Sequence, residues 1–117
     1  MDKYKDDKNI IKEGSKFNEL RNILPGDYEW ITTSKRLYYE SKLQHHCVYT
    51  NYRNRIQNDQ CTIYSYINPT NNERHTIEFI YDKERGYRAI QIQKKYNSGY
   101  DEEVLNNLEY LLSKKAS

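Results

Sequence analysis

Apolar positions along this chain follow two rhythms. Phe17, Leu20, Ile23 and Leu24 share helical spacing, which predicts a helix over 17–24 with one apolar face, stopped by Pro25–Gly26. Tyr28-Glu29-Trp30-Ile31-Thr32 follows as a short extended segment, with Trp30, the single tryptophan, as its anchor to the core. Thr33 or Ser34 can cap the next helix, because a hydroxyl there accepts a free backbone N–H. Leu37, Leu43, Cys47 or Val48, Tyr52 and Ile56 recur three to five residues apart. They predict helix over about 34–57, broken near Ser41 or His45 and ended by Asn58–Asp59.

Beyond residue 60 the rhythm shortens to two. Residues 61–67 are rich in β-branched and aromatic types. Residues 75–81 set Ile77, Phe79 and Tyr81 on one face and Thr76, Glu78 and Ile80 on the other. Residues 87–93 set Ile90 and Ile92 opposite Ala89, Gln91 and Gln93. Short polar turns join these runs, which favours antiparallel pairing. Residues 94–100 form a polar loop. A last helix starts near Asp101, where Asp101, Glu102 and Glu103 suit the positive end of the helix dipole. Val104, Leu105, Leu108, Leu111 and Leu112 are its buried stripe. Residues 1–16 alternate charges around Ile10–Ile11 and predict a frayed arm or a short surface helix. The expected organisation is an arm over 1–16 and one α+β domain over 17–117. Its order is α-α-β-β-β-α, with a three-stranded antiparallel sheet packed against helices on one face.

Composition narrows the picture. A length of 117 residues fits one domain with a modest core. Tyrosine supplies 13 of the apolar residues, so many hydroxyls need partners. Charge is nearly balanced, 19 basic against 17 acidic residues. A basic patch for nucleic acid must therefore come from local segregation of charge. The two cysteines make no disulfide framework, and no long apolar run marks a leader or a membrane span. A cytoplasmic setting with free thiols is the expectation.

Chemistry concentrates in Glu40-x-x-Leu43-x-His45-His46-Cys47-Val48, with Tyr52 behind it. A histidine beside a cysteine invites a thiolate reading. Adjacent helical residues point about 100° apart, so His46 is poorly placed as base for Cys47 and the base would come from His75 or Glu78. The competing reading makes Cys47 a small buried residue. His45, His46, Cys47, Cys61 and His75 are ligand types for zinc, at spacings unlike a compact zinc site, so no metal or other cofactor is expected. Thr76, Glu78, Gln91 and Gln93 lie opposite the apolar stripes, either as a plain solvent face or as a hydrogen-bonded site with His46. Arg85, Arg88, Lys94 and Lys95 flank the third strand run with Tyr87 and Tyr96 between them, a pattern that suits stacking plus phosphate contact and equally a solvated edge.

The stretch from Glu40 to Val48, with Tyr52 and Ile56, resembles the signature of the PcfJ-like family. Ile63-Tyr64-Ser65, His75-Thr76-Ile77-Glu78, Ile90-Gln91-Ile92-Gln93 and Asn97 resemble, in order, that family's later strand and loop motifs, so the likeness spans about 33–112. Ser41 stands where members usually carry Gly, and Ile67 where they usually carry Arg. The resemblance implies an accessory or regulatory binding protein of a phage or plasmid, acting on a nucleic-acid-processing machine through nucleic acid or protein. One variant is a phage-encoded inhibitor of a host defence nuclease. The enzyme alternative uses His46 and Cys47 with Glu78. Tyr52, Thr76, Gln91, Asn97, Arg88, Lys94 and Lys95 are the expected binding residues. Self-association through exposed tyrosines is a further expectation. The element order is also similar to the double-stranded-RNA-binding domain, but the acidic Asp101-Glu102-Glu103 stands where that domain holds phosphates with basic residues.

Overall fold

A computed structural model describes residues 7–45 and 49–115, apart from the side chains of Tyr49, Thr50 and Lys115. His46, Cys47 and Val48 lie outside the described residues. The class is α+β, as the periodicity predicts, but the antiparallel sheet has four strands among the described residues. They are β1 (Tyr28–Trp30), β2 (Thr62–Asn68), β3 (Glu73–Asp82) and β4 (Gly86–Gln93), paired in chain order. The added strand is the segment expected only as an extended anchor. Tyr28, Glu29 and Trp30 pair with Tyr66, Ser65 and Tyr64 of β2. The Trp30 indole N–H donates to Thr62 Oγ1 at 2.7 Å, which fixes the ring across the strand pair.

Helices cover both faces of the sheet, not one. Helix α1 (Leu20–Ile23) and α4 (Glu102–Lys115) lie on the face of Tyr28, Tyr64, Tyr66, Ile77, Phe79 and Ile92. Phe17, Leu20, Leu24, Val104 and Leu108 complete that core. Helix α2 (Ser34–Gln44) and α3 (Tyr49–Gln57) lie on the opposite face, where Ile10, Ile31, Leu37, Tyr52, Ile56, Cys61 and Ile63 form a second, smaller core. One-sided packing was the natural expectation because the second face of β3 carries Thr76 and Glu78. Those residues are nevertheless buried, 8% and 4% exposed, so the solvent-face reading fails for them, while Gln91 is exposed and Gln93 half-buried.

Local signals account for most boundaries. The Thr33 hydroxyl accepts the Arg36 N–H at 3.2 Å and caps α2. Helix α2 ends at His45, whose left-handed backbone (φ 56) breaks the long helical run at one of the two expected places. The predicted first helix shrinks to one turn, Leu20–Ile23. From residue 7 onward the preceding segment is held to the body instead of fraying, and residues 1–6 lie outside the described residues. Asn9 bridges Thr33, Ile10 is 2% exposed, and the Ser15 hydroxyl donates to Asp59 at 2.5 Å.

The third strand run also departs from simple alternation. Glu78 pairs with Gln91 but Phe79 with Ala89, so a bulge falls at Ile90. Ala89 and Ile92 thereby share the α4 face, and Ile90 is left 45% exposed. Gln91 keeps the face of Glu78. Residues 95–97, expected as loop, make a 3-10 turn, Lys95–Asn97.

Candidate functional site

The face under α2 and α3 divides into an apolar half and a polar half. The polar half begins with Glu40, 1% exposed on the buried side of α2. Its carboxylate accepts the Thr76 hydroxyl at 2.5 Å and the Arg36 guanidinium at 3.0 Å, with Arg74 at 3.5 Å. Arg36 reaches back to grip Glu29 of β1 with two bonds, at 2.8 and 2.9 Å. Arg74 also donates to Ser65 at 2.7 Å. A buried carboxylate without such partners would cost several kcal/mol, so the ring of donors explains why Glu40 is tolerated there.

Arg74 stands directly across from Ile67 in the β2–β3 register. Both side chains therefore leave the sheet on the α2 face. Arg74 thus sets a guanidinium on the face that Ile67 shares.

Farther along β3, Glu78 is paired with Arg55 of α3 by a short hydrogen-bonded ion pair. Tyr52, one turn before Arg55, donates its hydroxyl to Gln91 Oε1 at 2.7 Å. Burial, followed by the negative charge of Glu78, pushes the Tyr52 hydroxyl up to about 12. The same surroundings act on Cys61. Burial pushes its thiol up to about 12, Arg55 opposes the rise, and Glu78 adds to it. The shift favours the protonated thiol at neutral pH. Gln44, at the end of α2, donates to the carbonyls of Arg74 at 3.0 Å and Gln93 at 3.2 Å. It ties α2 to two strands at the point where the chain enters the α2–α3 junction.

Of the sequence-predicted residues, Tyr52, Thr76, Glu78 and Gln91 come together in this layer. Asn97 lies apart, exposed in the 3-10 turn. Arg88 is exposed on β4, and Lys95 is exposed in the 3-10 turn. Lys94 is engaged elsewhere, in an ion pair of 2.9 Å with Asp101. His75 does not reach the layer. It is fully buried on the opposite face, where Glu73 O lies 3.1 Å from Nδ1 and the Asp101 N–H donates to Nε2 at 3.0 Å. It therefore supplies no base to this face, and it cannot share a metal with Cys61, which faces α3. Among the described residues no group of three His, Cys, Asp or Glu is clustered for a metal ion, and no helix is long and apolar enough to cross a membrane.

Glu29, Arg36, Gln44, Arg55 and Arg74 belong to the site and escape the motif reading. Arg36 precedes Glu40 by one helical turn, and Arg55 follows Tyr52 by three residues, spacings that place each pair on one helix side. That was the available signal. Arg74 and Glu29 join only through strand register, which no local pattern reveals.

The opposite face offers a shallower feature. A groove of about 340 Å³ is lined by Ile23, Tyr81, Tyr87 and Leu112 with Glu19, Glu84 and Arg85 at its border. Its charges are mixed and no buried polar group converges on it.

No protein-family model matches the chain, and neither curated proteins nor solved structures return a match. The likeness described above therefore rests on the quoted residues alone.

Proposed function

We propose that this chain is an accessory or regulatory binding protein of a mobile genetic element, PcfJ-like in type. It acts on a nucleic-acid-processing machine through the face built by α2, α3 and β4. One observation carries the reading. Glu40, Tyr52, Thr76, Glu78 and Gln91, quoted for the resemblance from distant parts of the sequence, lie on one polar face, the first four buried and Gln91 exposed. A layer of paired charges under two helices is a poor way to gain stability, since apolar packing of equal volume does as well or better. Its gathering here favours a role in recognition.

Binding is favoured over chemistry because the described groups are committed to one another. Glu78 is held by Arg55, and Tyr52 and Cys61 are kept protonated. The Cys/His alternative depends on His46 and Cys47, outside the described residues.

The test is copurification of the tagged chain from cells carrying a conjugative plasmid or infected by a phage, beside a Tyr52→Phe/Gln91→Leu variant that still melts cooperatively. The expected result is a nucleic-acid-processing protein, or nucleic acid, enriched with the native chain and lost with the variant. A host nuclease as the partner would identify the inhibitor variant of this reading. Identical partners for both proteins would contradict it.

A further inference from the structure

None of the chain's 17 acidic residues falls within 41–58 or 85–100. The fold brings these two stretches together. Gln44 bonds the carbonyl of Gln93, Tyr52 bonds Gln91, and the His45 ring stacks on Tyr96 with centroids 4.3 Å apart and planes 16° apart. A chain of balanced composition thus acquires a surface poor in free negative charge. Neighbouring acids are largely spoken for. Glu40 is buried between Arg36 and Arg74, Glu78 is held by Arg55, and Asp101 by Lys94. Glu73, exposed at the start of β3, is the remaining acid whose field reaches Lys94. Lys42 and Lys95 are exposed on these stretches, with Arg53 half-buried, while the exposed Arg88 sits in the field of Asp82.

The stack at its centre is unusual in backbone as well as in side chain. His45 and Tyr96 both have positive φ, 56° and 61°, and Asn97 follows at 56°. A bulky residue rarely adopts this region, and it costs about 1 kcal/mol or more. Burial of Tyr96 does not offset that cost, since the residue stays 66% exposed. The turn is fixed by the Lys94 N–H donating to Gly99 O at 2.7 Å and the Asn97 N–H donating to Lys94 O at 3.0 Å. The ring is thus held out from the surface, backed by an imidazole, with the Lys95 ammonium 5.7 Å from its centroid.

An exposed aromatic pair with a lysine beside it and few free acids around it fits one chemistry well. Base stacking supplies sequence-tolerant affinity, and nearby cations take the phosphates. We propose that the His45–Tyr96 stack is a shelf for an unpaired nucleobase of single-stranded DNA or RNA, with Lys95 contacting a flanking phosphate. A paired base inside a duplex presents no free face to such a shelf. This inference rests on the functional reading above and names its ligand.

The test is fluorescence anisotropy of the full chain with labelled oligothymidylate and oligouridylate of about ten nucleotides, within the span such modules cover. A duplex of equal length is the third arm. Saturable binding of at least one single strand is expected, with the tighter of the two naming the sugar preference. Tyr96→Leu should weaken it about tenfold or more, while Tyr96→Phe keeps it within about twofold. Lys95→Gln, an exposed change that leaves the loop bonds intact, should lower the salt dependence by about one phosphate contact. Absence of saturable binding, a Tyr96→Leu variant that binds like the native chain, or a duplex bound as tightly as the single strands would overturn the proposal. If binding is absent while the Tyr52→Phe/Gln91→Leu variant still loses its copurifying partner, the shelf fails and the broader functional reading stands.

Discussion

The two faces of the sheet are built from different materials. Under α1 and α4 the interior is mainly aromatic and aliphatic, with Phe17, Tyr64 and Phe79 almost wholly buried and His75 among its few polar groups. Tyr28 stacks on Tyr66 at 4.1 Å, and Phe79 meets Tyr64 edge-on at 5.5 Å. Under α2 and α3 half of the interior is carboxylate, guanidinium, hydroxyl and amide. Stability comes mainly from the first face, because apolar burial stabilises by roughly 25 cal/mol per Å² while buried ion pairs contribute little net. The second face buries polar groups that add little net stability compared with apolar packing, which supports the functional reading proposed for it.

That contrast can be broken first on the apolar side. Phe79→Ala removes a fully buried ring and should destabilise the chain by about 4 kcal/mol in urea unfolding. On the polar side, Glu78→Ala strands the half-exposed Arg55 and should cost about 2 kcal/mol. Replacing both, as Arg55→Met/Glu78→Leu, should return most of that loss while abolishing partner binding. A double variant as unstable as the single one would show that the pair matters for folding and would weaken the contrast. Tyr52→Phe deletes one hydroxyl bonded to an exposed amide and should cost about 1 kcal/mol or less. Its effect on binding should exceed its effect on the melt.

The smallest effect lies in the pH profile. Burial holds the His75 imidazole below its ordinary 6.5, against opposing pulls from the Glu73 carbonyl and Asp101. As pH falls through about 6.5 the unfolded chain takes up the proton before the folded one does. Stability is therefore full above that pH and declines between it and the lower folded value. Asp101 acts in a separate, more acidic window. Bonds from Asn71, Asn68 and Lys94 hold its carboxyl well below the usual carboxylate range. Its contribution is present above the ordinary value of 3.8 and is lost as pH falls further. Melts of the native chain and His75→Gln from neutral to about pH 5 should differ in slope, with the variant flatter.

Much of this architecture was legible in the sequence, and what was not has physical causes. Period-two alternation placed Ile77 and Phe79 apart from Thr76 and Glu78, and both sets keep their sides. The helical run from 34 breaks at His45, one of the two positions foreseen. Strand β1 was missed as a strand because three residues carry too little pattern, and only pairing with β2 defines it. The bulge at Ile90 leaves no mark in composition, so Ala89 takes the side of Ile92 and Ile90 is left exposed. Burial of both faces was hidden by the polarity of Thr76 and Glu78, since a polar stripe on a strand ordinarily faces water. The partners that make their burial tolerable, Glu40 and Arg55, come from separate segments and meet them only in the folded chain.

The claim that the α2–α3–β4 face is the working surface is tested most directly by an amide chemical-shift titration of the chain with the single-stranded oligonucleotide. The account predicts shifts concentrated at His45, Tyr52, Gln91, Gln93 and Tyr96. Shifts confined to Ile23, Tyr87 and Leu112, on the groove beneath α1 and α4, would contradict it.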